Sequence, residues 1–298
     1  MFKKFSSKTQ ETIVGFAFLS PFMIGYTIFV IIPVLYTAFL SVMDFDNIGK
    51  MSNLKFVGLR NFIELFKDQA AMGSYFKSIE YSLVYVPCML IFSLFMASLM
   101  NKNFKLKRLS RTLIFMPYVA NVTAIAIVFN VILNPFDGPV NKILRAIGMK
   151  NPPQWLLDST MALPVSALIA VWANMTFQTI LFLAAMQDVP KEMYEAADLE
   201  GASAWTKLTK LTLPWISPTT FFLVVTTIIG STQNFSNLYT LTKGGPGGAT
   251  EVAMLSIYKN SFEFNKFSFA SAQTIVLFGV LLVITIVQWR GQKKWVHY

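Results

Sequence analysis

The chain alternates long apolar runs with shorter polar segments, and the run lengths set the class of structure. Six runs stand out, over residues 13–42, 81–100, 112–133, 161–186, 216–239 and 267–289. Each is close to or above the ~20 apolar residues that an α-helix needs to cross a bilayer. A lipid-facing backbone must satisfy its own hydrogen bonds, so the runs predict helices rather than strands or irregular chain. The first run is overlong and holds Pro21 and Pro33, which predicts a kink, a tilt or an end that projects from the membrane. The expected fold is therefore all-α and integral to the membrane, with six transmembrane helices in a single domain over 1–298.

The polar segments carry their own patterns. Val57-Gly-Leu-Arg-Asn-Phe62 leads into an amphipathic stretch over 62–66, read as a helix on the outer surface. Residues 187–215, between the fourth and fifth runs, read as a helix-turn-helix. Pro190 presets φ for a first turn, and 191–200 are mostly good helix formers. Gly201 can turn left-handed, Ser203 can cap a second short helix, and Pro214 limits its far end. Nothing in this loop is catalytic in kind.

Composition agrees with the pattern: 54% of residues are hydrophobic, only 13% are charged, and 28 are Phe. The net charge of +10 raises a nucleic-acid reading, which the placement of the charges removes. Lys3, Lys4 and Lys8, then Lys102, Lys105, Lys107, Arg108 and Arg111, then Arg290, Lys293 and Lys294 all border the apolar runs. These eleven crowd into about a third of the length over which segments 43–77, 134–160 and 240–266 spread the same number. By the positive-inside rule both termini and the 101–111 and 187–215 loops are cytoplasmic, and an even number of spans agrees. Trp289 and Trp295 suit an interfacial belt. The single Cys88 sits in an apolar run and the single His297 is penultimate, so no zinc set and no Ser-His-Asp or Cys-His set can be built. No catalytic residue and no metal ligand is expected. The first run is too long for a signal-peptide core and reads as a retained span.

The loop sequence Glu195-Ala-Ala-Asp-Leu-Glu-Gly201-Ala, followed by Leu211-Thr-Leu-Pro214, resembles the EAA loop of importer-type ABC transporter permeases. Glu200 stands where that family has Asp, Leu211 where it has Ile, and Leu208 where Phe is frequent. Further stretches resemble the same family: Phe16-Ala-Phe-Leu-Ser-Pro21, Phe56-Val-Gly-Leu-Arg-Asn61, Leu133-Asn-Pro135, Gly244-Gly-Pro246 with a later Thr, and Ala270-Ser-Ala272. They point to its carbohydrate group, which includes maltose, multiple-sugar and glycerol-phosphate importers. The resemblance implies that 187–215 holds a coupling helix docking on an ATPase, through Glu195, Ala196, Ala197, Glu200, Gly201, Leu213 and Pro214. It also implies a second homologous permease forming half of the pathway, an ATPase dimer holding ATP and Mg, an extracytoplasmic binding protein, and a place in a prokaryotic plasma membrane. This chain itself is expected to bind no cofactor and to catalyse no reaction. Read without the family, the loop is an amphipathic helix pair at the membrane interface.

None of the six runs contains Asp, Glu, Lys, Arg or His. Transporters that keep such a residue in the bilayer use it for proton relay or ion binding, so the energy for pumping is expected from another subunit. The runs do contain Asn121, Asn130, Asn174, Gln178, Gln233, Asn234 and Asn237, with Tyr118 and Tyr239. Taken singly, each amide is accounted for by helix-to-helix hydrogen bonding. Taken together with Phe177, Phe235 and Trp172, they suit a sugar, whose hydroxyls need neutral donors and acceptors and whose C–H faces stack on rings. On one continuous helix Thr227, Ser231 and Asn234 would fall on a single stripe. The candidate substrate contacts are Tyr118, Asn174, Phe177, Gln178, Thr227, Ser231 and Asn234, of which Tyr118, Phe177 and Asn234 sit at positions that the maltose-type relatives use. The alternatives are an ion-coupled secondary transporter and a membrane enzyme. Lys243-Gly-Gly-Pro-Gly-Gly-Ala-Thr250 lacks the Gly-Lys-Ser/Thr ending and the preceding strand of a phosphate loop.

Overall fold

The computed structural model describes residues 7–45, 54–101 and 107–292. Lys3, Lys4, Lys102, Lys105, Lys293, Lys294, Trp295 and His297 lie outside the described residues, as do the side chains of Lys8, Lys107, Arg108 and Arg111.

The first run forms helix α1 (Ser7–Tyr26), a π-helical turn at Thr27–Ile31, and α2 (Ile32–Leu40). Pro33 has no N–H to offer the carbonyl four residues back, and the chain absorbs this by widening the turn just before it. A two-residue ladder follows, β1 (Met43–Asp44) antiparallel to β2 (Lys55–Phe56), then α3 (Arg60–Lys67). The second run lies in α4 (Gln69–Asn101), and the third is split into α5 (Lys107–Val119) and α6 (Val122–Ile132). After α7 (Pro139–Ala146), the fourth run forms α8 (Ala162–Gln187). The polar loop gives α9 (Lys191–Leu199), α10 (Ala204–Lys207), a π turn at Leu208–Thr212 and α11 (Leu213–Trp215). The fifth run is divided between α12 (Ser217–Thr232) and α13 (Phe235–Thr242); α14 (Ala253–Tyr258) and α15 (Phe267–Gln292) complete the chain.

Among the described residues, four helical stretches are long and apolar enough to cross a membrane unbroken: Glu11–Leu40, Gln69–Asn101, Ala162–Gln187 and Phe267–Gln292. Two bent pairs raise the number to six, Thr112–Val119 with Val122–Ile132 at 103° and Ala204–Trp215 with Ser217–Thr232 at 74°. The third and fifth runs are each interrupted, the third inside the first pair and the fifth between α12 and α13. The 74° bend of the second pair falls at Ile216, where the polar loop meets the fifth run. At the first interruption Asn121 leaves helical geometry (φ −64°, ψ 131°), and its Oδ1 accepts the Thr123 N–H at 2.8 Å. A side chain that caps a new helix competes with continuation of the old one. At the second, Asn234 (φ −77°, ψ 63°) is the centre of an inverse γ-turn closed by Phe235 N–H to Gln233 O at 2.8 Å. Within the third and fifth runs the breaks fall at Asn121 and Asn234, whereas the 74° bend at Ile216 lies between Pro214 and Pro218.

The described chain divides into two compact units. One comprises Met1–Asp68 with Ile257–Val276. Here Asn61, buried, donates to Ser41 O at 2.9 Å and to Met43 O at 2.8 Å, which ties α3 to the end of α2. The Phe45 N–H donates to Ser268 Oγ at 2.8 Å, and Asn260 Nδ2 donates to the buried Gln273 Oε1 at 2.9 Å. The amphipathic stretch read at 62–66 is the middle of α3.

The other unit comprises Gln69–Ser256 with Leu277–Tyr298, and its centre is the pairing of α4 with α8. Tyr81, Tyr85 and Met89 recur every fourth residue on α4 and meet Ala167, Ala170 and Val171 of α8, with Leu238, Val252 and Leu255 closing the cluster. Small residues on α8 let the two backbones approach, and buried hydroxyls bond across helices: Ser93 Oγ to Met175 O at 3.2 Å and Thr176 Oγ1 to Ile114 O at 2.6 Å. Segment 134–160 is built around Asn141, buried, which donates to Pro135 O and Pro153 O and accepts the Trp155 indole N–H at 2.7 Å. Its turn needs Gly138, because a Cβ there would stand 2.4 Å from Asn134 O. The glycine-rich segment is likewise a structural turn, held by Thr250 Oγ1 to Gly245 O at 2.9 Å and to Thr242 Oγ1 at 2.6 Å.

Candidate functional site

Two features lie within the second unit, a recess among α4, α5, α8 and α12 and the polar loop carrying α9 to α11. The recess, of about 300 Å³, is lined by Tyr85, Tyr118, Asn174, Phe177, Gln178, Thr226, Thr227, Gly230 and Asn234. Six of the seven candidate substrate contacts therefore stand around one space. Two of the six come from the helix breaks: Tyr118 is the penultimate residue of α5, and Asn234 is the γ-turn between α12 and α13. Where helices are interrupted inside a membrane protein, backbone and polar side chains are exposed to a cavity instead of lipid.

The structure places the seventh candidate, Ser231, apart from the other six. The stripe through Thr227, Ser231 and Asn234 presumed one helix, but α12 ends at Thr232. Ser231, buried, shares a 2.7 Å hydrogen bond with Ser82 Oγ and donates to Ile228 O, so it joins α12 to α4 and is absent from the recess wall. Two other amides of the apolar runs are also committed to the fold: Asn121 caps α6, and Asn130 Nδ2 reaches Leu241 O at 3.3 Å.

The polar groups at the recess are unevenly satisfied. Asn174 Nδ2 donates to Ala170 O at 2.8 Å, and Asn234 Nδ2 donates to Tyr81 Oη at 2.6 Å. Gln178 Oε1 and Thr227 Oγ1 are buried and have no hydrogen-bond partner among the described residues. Leaving such an atom unpaired costs about 1–3 kcal/mol. Both belong to residues of the recess wall, where a ligand hydroxyl or water can supply the missing bond. Reading the sequence missed Tyr85, Thr226 and Gly230. Tyr85 was detectable from the tyrosine pair spaced i, i+4 in an apolar run, a spacing that puts Tyr81 and Tyr85 on one face, where their rings stack at 5.4 Å.

In the polar loop, Pro190 is the residue before α9 (ψ 135°) and the helix itself begins at Lys191. Its end is a Schellman closure: Ala202 N–H donates to Ala197 O at 2.9 Å and Gly201 N–H to Asp198 O at 3.1 Å, with Gly201 left-handed at φ +70°. Ser203 caps α10 by accepting the Thr206 N–H at 3.2 Å. Lys207 pairs with Asp198, and Tyr194 Oη bonds Thr212 Oγ1 at 2.8 Å, so the two helices are pinned together. Glu195, Ala196, Glu200 and Gly201 are exposed, and Ala197 is half-buried. Leu199 and Trp205, at 91% and 72% exposure, present apolar surface beside them. Leu213 and Pro214 differ from the rest of the set. Both are half-buried, and Leu213 packs with Leu208 against the cluster of Met100, Phe182, Met186 and Ile216, so the Leu-Pro end anchors the loop. A second recess of about 440 Å³ lies under the loop, between Ser98, Asn101 and Met186 on one side and Tyr194, Trp205 and Lys207 on the other.

Comparison with known proteins gives a consistent picture. The family described as "Binding-protein-dependent transport system inner membrane component" matches residues 89–294. The probable ABC transporter permease protein YesP of Bacillus subtilis is 32% identical over 99% of this chain and 96% of its own length. The lactose transport system permease protein LacF of Rhizobium radiobacter is 30% identical, covering 97% of each chain. Among solved structures, a bacterial alginate ABC transporter, in complex with an alginate pentasaccharide-bound periplasmic protein, has a chain that superposes with a TM-score of 0.84 over 98% of each chain; at 20% identity the likeness is one of fold.

Proposed function

The chain belongs to the family of inner membrane components of binding-protein-dependent transport systems, and on that premise we propose that it is the permease subunit of an ATP-driven carbohydrate importer. It forms half of a heterodimeric pathway with a second, homologous permease. An extracytoplasmic binding protein delivers an oligosaccharide, and a separate ATPase dimer holds ATP and Mg and drives the cycle. Both termini and the polar loop face the cytoplasm, and the chain binds no cofactor of its own.

The observation that supports this reading best is the recess. It gathers neutral amides, hydroxyls and three aromatic rings at two helix breaks, and it leaves two buried polar atoms unpaired. That is the complement of a sugar: hydroxyls to pair, apolar ring faces to stack. The loop supports the ATPase half. A rigid pair of short helices ends in an exposed left-handed glycine flanked by two acids and two large apolar side chains, a surface built to be covered. The first permease residues covered on docking are then Glu195, Ala196, Glu200 and Gly201, with Leu213 and Pro214 transmitting the movement to the span.

The test is reconstitution of the complex in liposomes with its binding protein and no ion gradient. ATP supplied on the loop side should drive sugar accumulation, and an uncoupler should leave it unchanged. Uptake by this chain alone, collapsing with the uncoupler and indifferent to ATP, would replace this reading with secondary transport.

A further inference from the structure

We infer that the recess discriminates by charge, admitting an uncharged sugar ring and rejecting one that carries a carboxylate or phosphate, with Gln178 as the residue that decides. This rests on the carbohydrate reading and narrows it. Three observations carry it. First, among the described residues none lining the recess is ionisable to a cation, and neither α8 nor α12 contains a charged residue anywhere along its length. The basic residues of α5, Lys107, Arg108 and Arg111, all lie at least seven positions before Tyr118. An anion entering here would give up hydration with no counter-charge to replace it. Second, the charged pair on α4 nearest to Tyr85 is Lys77 with Glu80, bonded to each other at 2.8 Å, so that lysine is already neutralised and the acid is the nearer of the two along the helix. Third, the unpaired atom of Gln178 is Oε1, an acceptor. An acceptor needs a donor: a sugar hydroxyl supplies one, whereas a carboxylate or ionised phosphate oxygen presents lone pairs to lone pairs. Thr227 Oγ1 can donate or accept and pairs with either. The ring faces of Tyr85, Tyr118 and Phe177 carry partial negative charge, which suits the apolar C–H face of a sugar and not an anion.

The experiment uses the complete reconstituted transporter with its binding protein. Uptake is measured for neutral oligosaccharides (maltose, lactose, raffinose) and for anionic sugars (digalacturonate, glucose 6-phosphate), with binding of each to the binding protein measured in parallel. A neutral sugar should accumulate, with every anionic probe below a tenth of its rate, including any that the binding protein retains. Gln178→Glu, nearly isosteric but anionic, should cut neutral uptake at least tenfold while the complex still copurifies. Should that variant fail to assemble, Gln178→Met, which removes the acceptor without adding charge, should give the same loss. An anionic sugar carried within threefold of the best neutral one, or wild-type neutral uptake by the assembled variant, would overturn charge discrimination and leave carbohydrate import standing. Accumulation of no sugar of either kind would remove the carbohydrate reading and this inference with it.

Discussion

The bond between Asn234 Nδ2 and Tyr81 Oη, 2.6 Å long, separates two roles that look alike in sequence. Tyr81 is fully buried, so Asn234→Leu strands its hydroxyl and should destabilise the protein by about 1–3 kcal/mol. Removing both partners restores balance, and Tyr81→Phe/Asn234→Leu should regain most of that loss in thermal unfolding. If Asn234 also contacts substrate, uptake stays low in the double variant although stability returns; recovery of both would reduce Asn234 to a structural role. Gly201 gives a second case. Its φ is +70°, and nothing lies within 4 Å of a Cβ built there, so replacement meets conformational strain but no collision. Gly201→Ala should cost about 1 kcal/mol locally and Gly201→Asn less, because Asn tolerates the left-handed region. Gly201→Leu should insert in the membrane normally yet lose copurification with the ATPase and uptake. Normal transport by that variant would remove the loop from the interface.

At the scale of elements, the breaks and the ties between elements carry the structure. Replacing Asn121 by Ala removes a helix cap worth about 1 kcal/mol and should let α5 and α6 straighten toward one helix, displacing Tyr118 from the recess. Reduced uptake at normal expression is the expected result, and unchanged uptake would show that the bend does not depend on the cap. The start of α8 depends on Asp158, whose carboxylate accepts from the Thr160 hydroxyl, the Thr160 N–H and the Met161 N–H. The Thr160 hydroxyl, then the two N–H groups, hold its pKa below the usual carboxylate value. The sign follows: its contribution is fully present above the ordinary carboxylate pKa and disappears as pH falls through the depressed one. Between pH 5 and 8 the difference in melting temperature between wild type and Asp158→Ala should be flat, and it should shrink only in acid. A difference that grows on acidification would contradict the assignment.

For the molecule as a whole, the long helix of the first span is the most telling surface. The apolar window of Glu11–Leu40 is entirely unburied, with Phe16, Phe18, Phe22 and Phe29 exposed. Such a surface must be covered by lipid or by another subunit. If the second permease covers part of it, coexpression should raise the melting temperature and keep the chain monodisperse in detergent. An isolated chain that melts as high as the complex would assign this helix to lipid alone.

Much of this was legible in sequence, because membrane insertion and loop chemistry are local properties. Run length and the absence of charge specify spanning helices, and Gly201, Ser203 and Pro214 specify the turns of the polar loop in terms of φ, capping and a missing N–H. Segment 57–66 was readable as turn then helix for the same reason, although the work of Asn61, reaching back to Ser41 and Met43, was not. Tertiary structure decided what depends on neighbours. Asn121, Asn130, Asn174, Gln178, Ser231 and Asn234 are all uncharged polar residues in apolar runs, and nothing in their local sequence says which will cap a helix, bond across one or line a cavity. Two runs became broken helices because side-chain and turn hydrogen bonds at Asn121 and Asn234 outweigh one more helical turn, a balance set by what each asparagine meets. The recess exists only where those breaks, Tyr85 and the α8 face converge, whereas its lack of charge was already a property of each run that lines it.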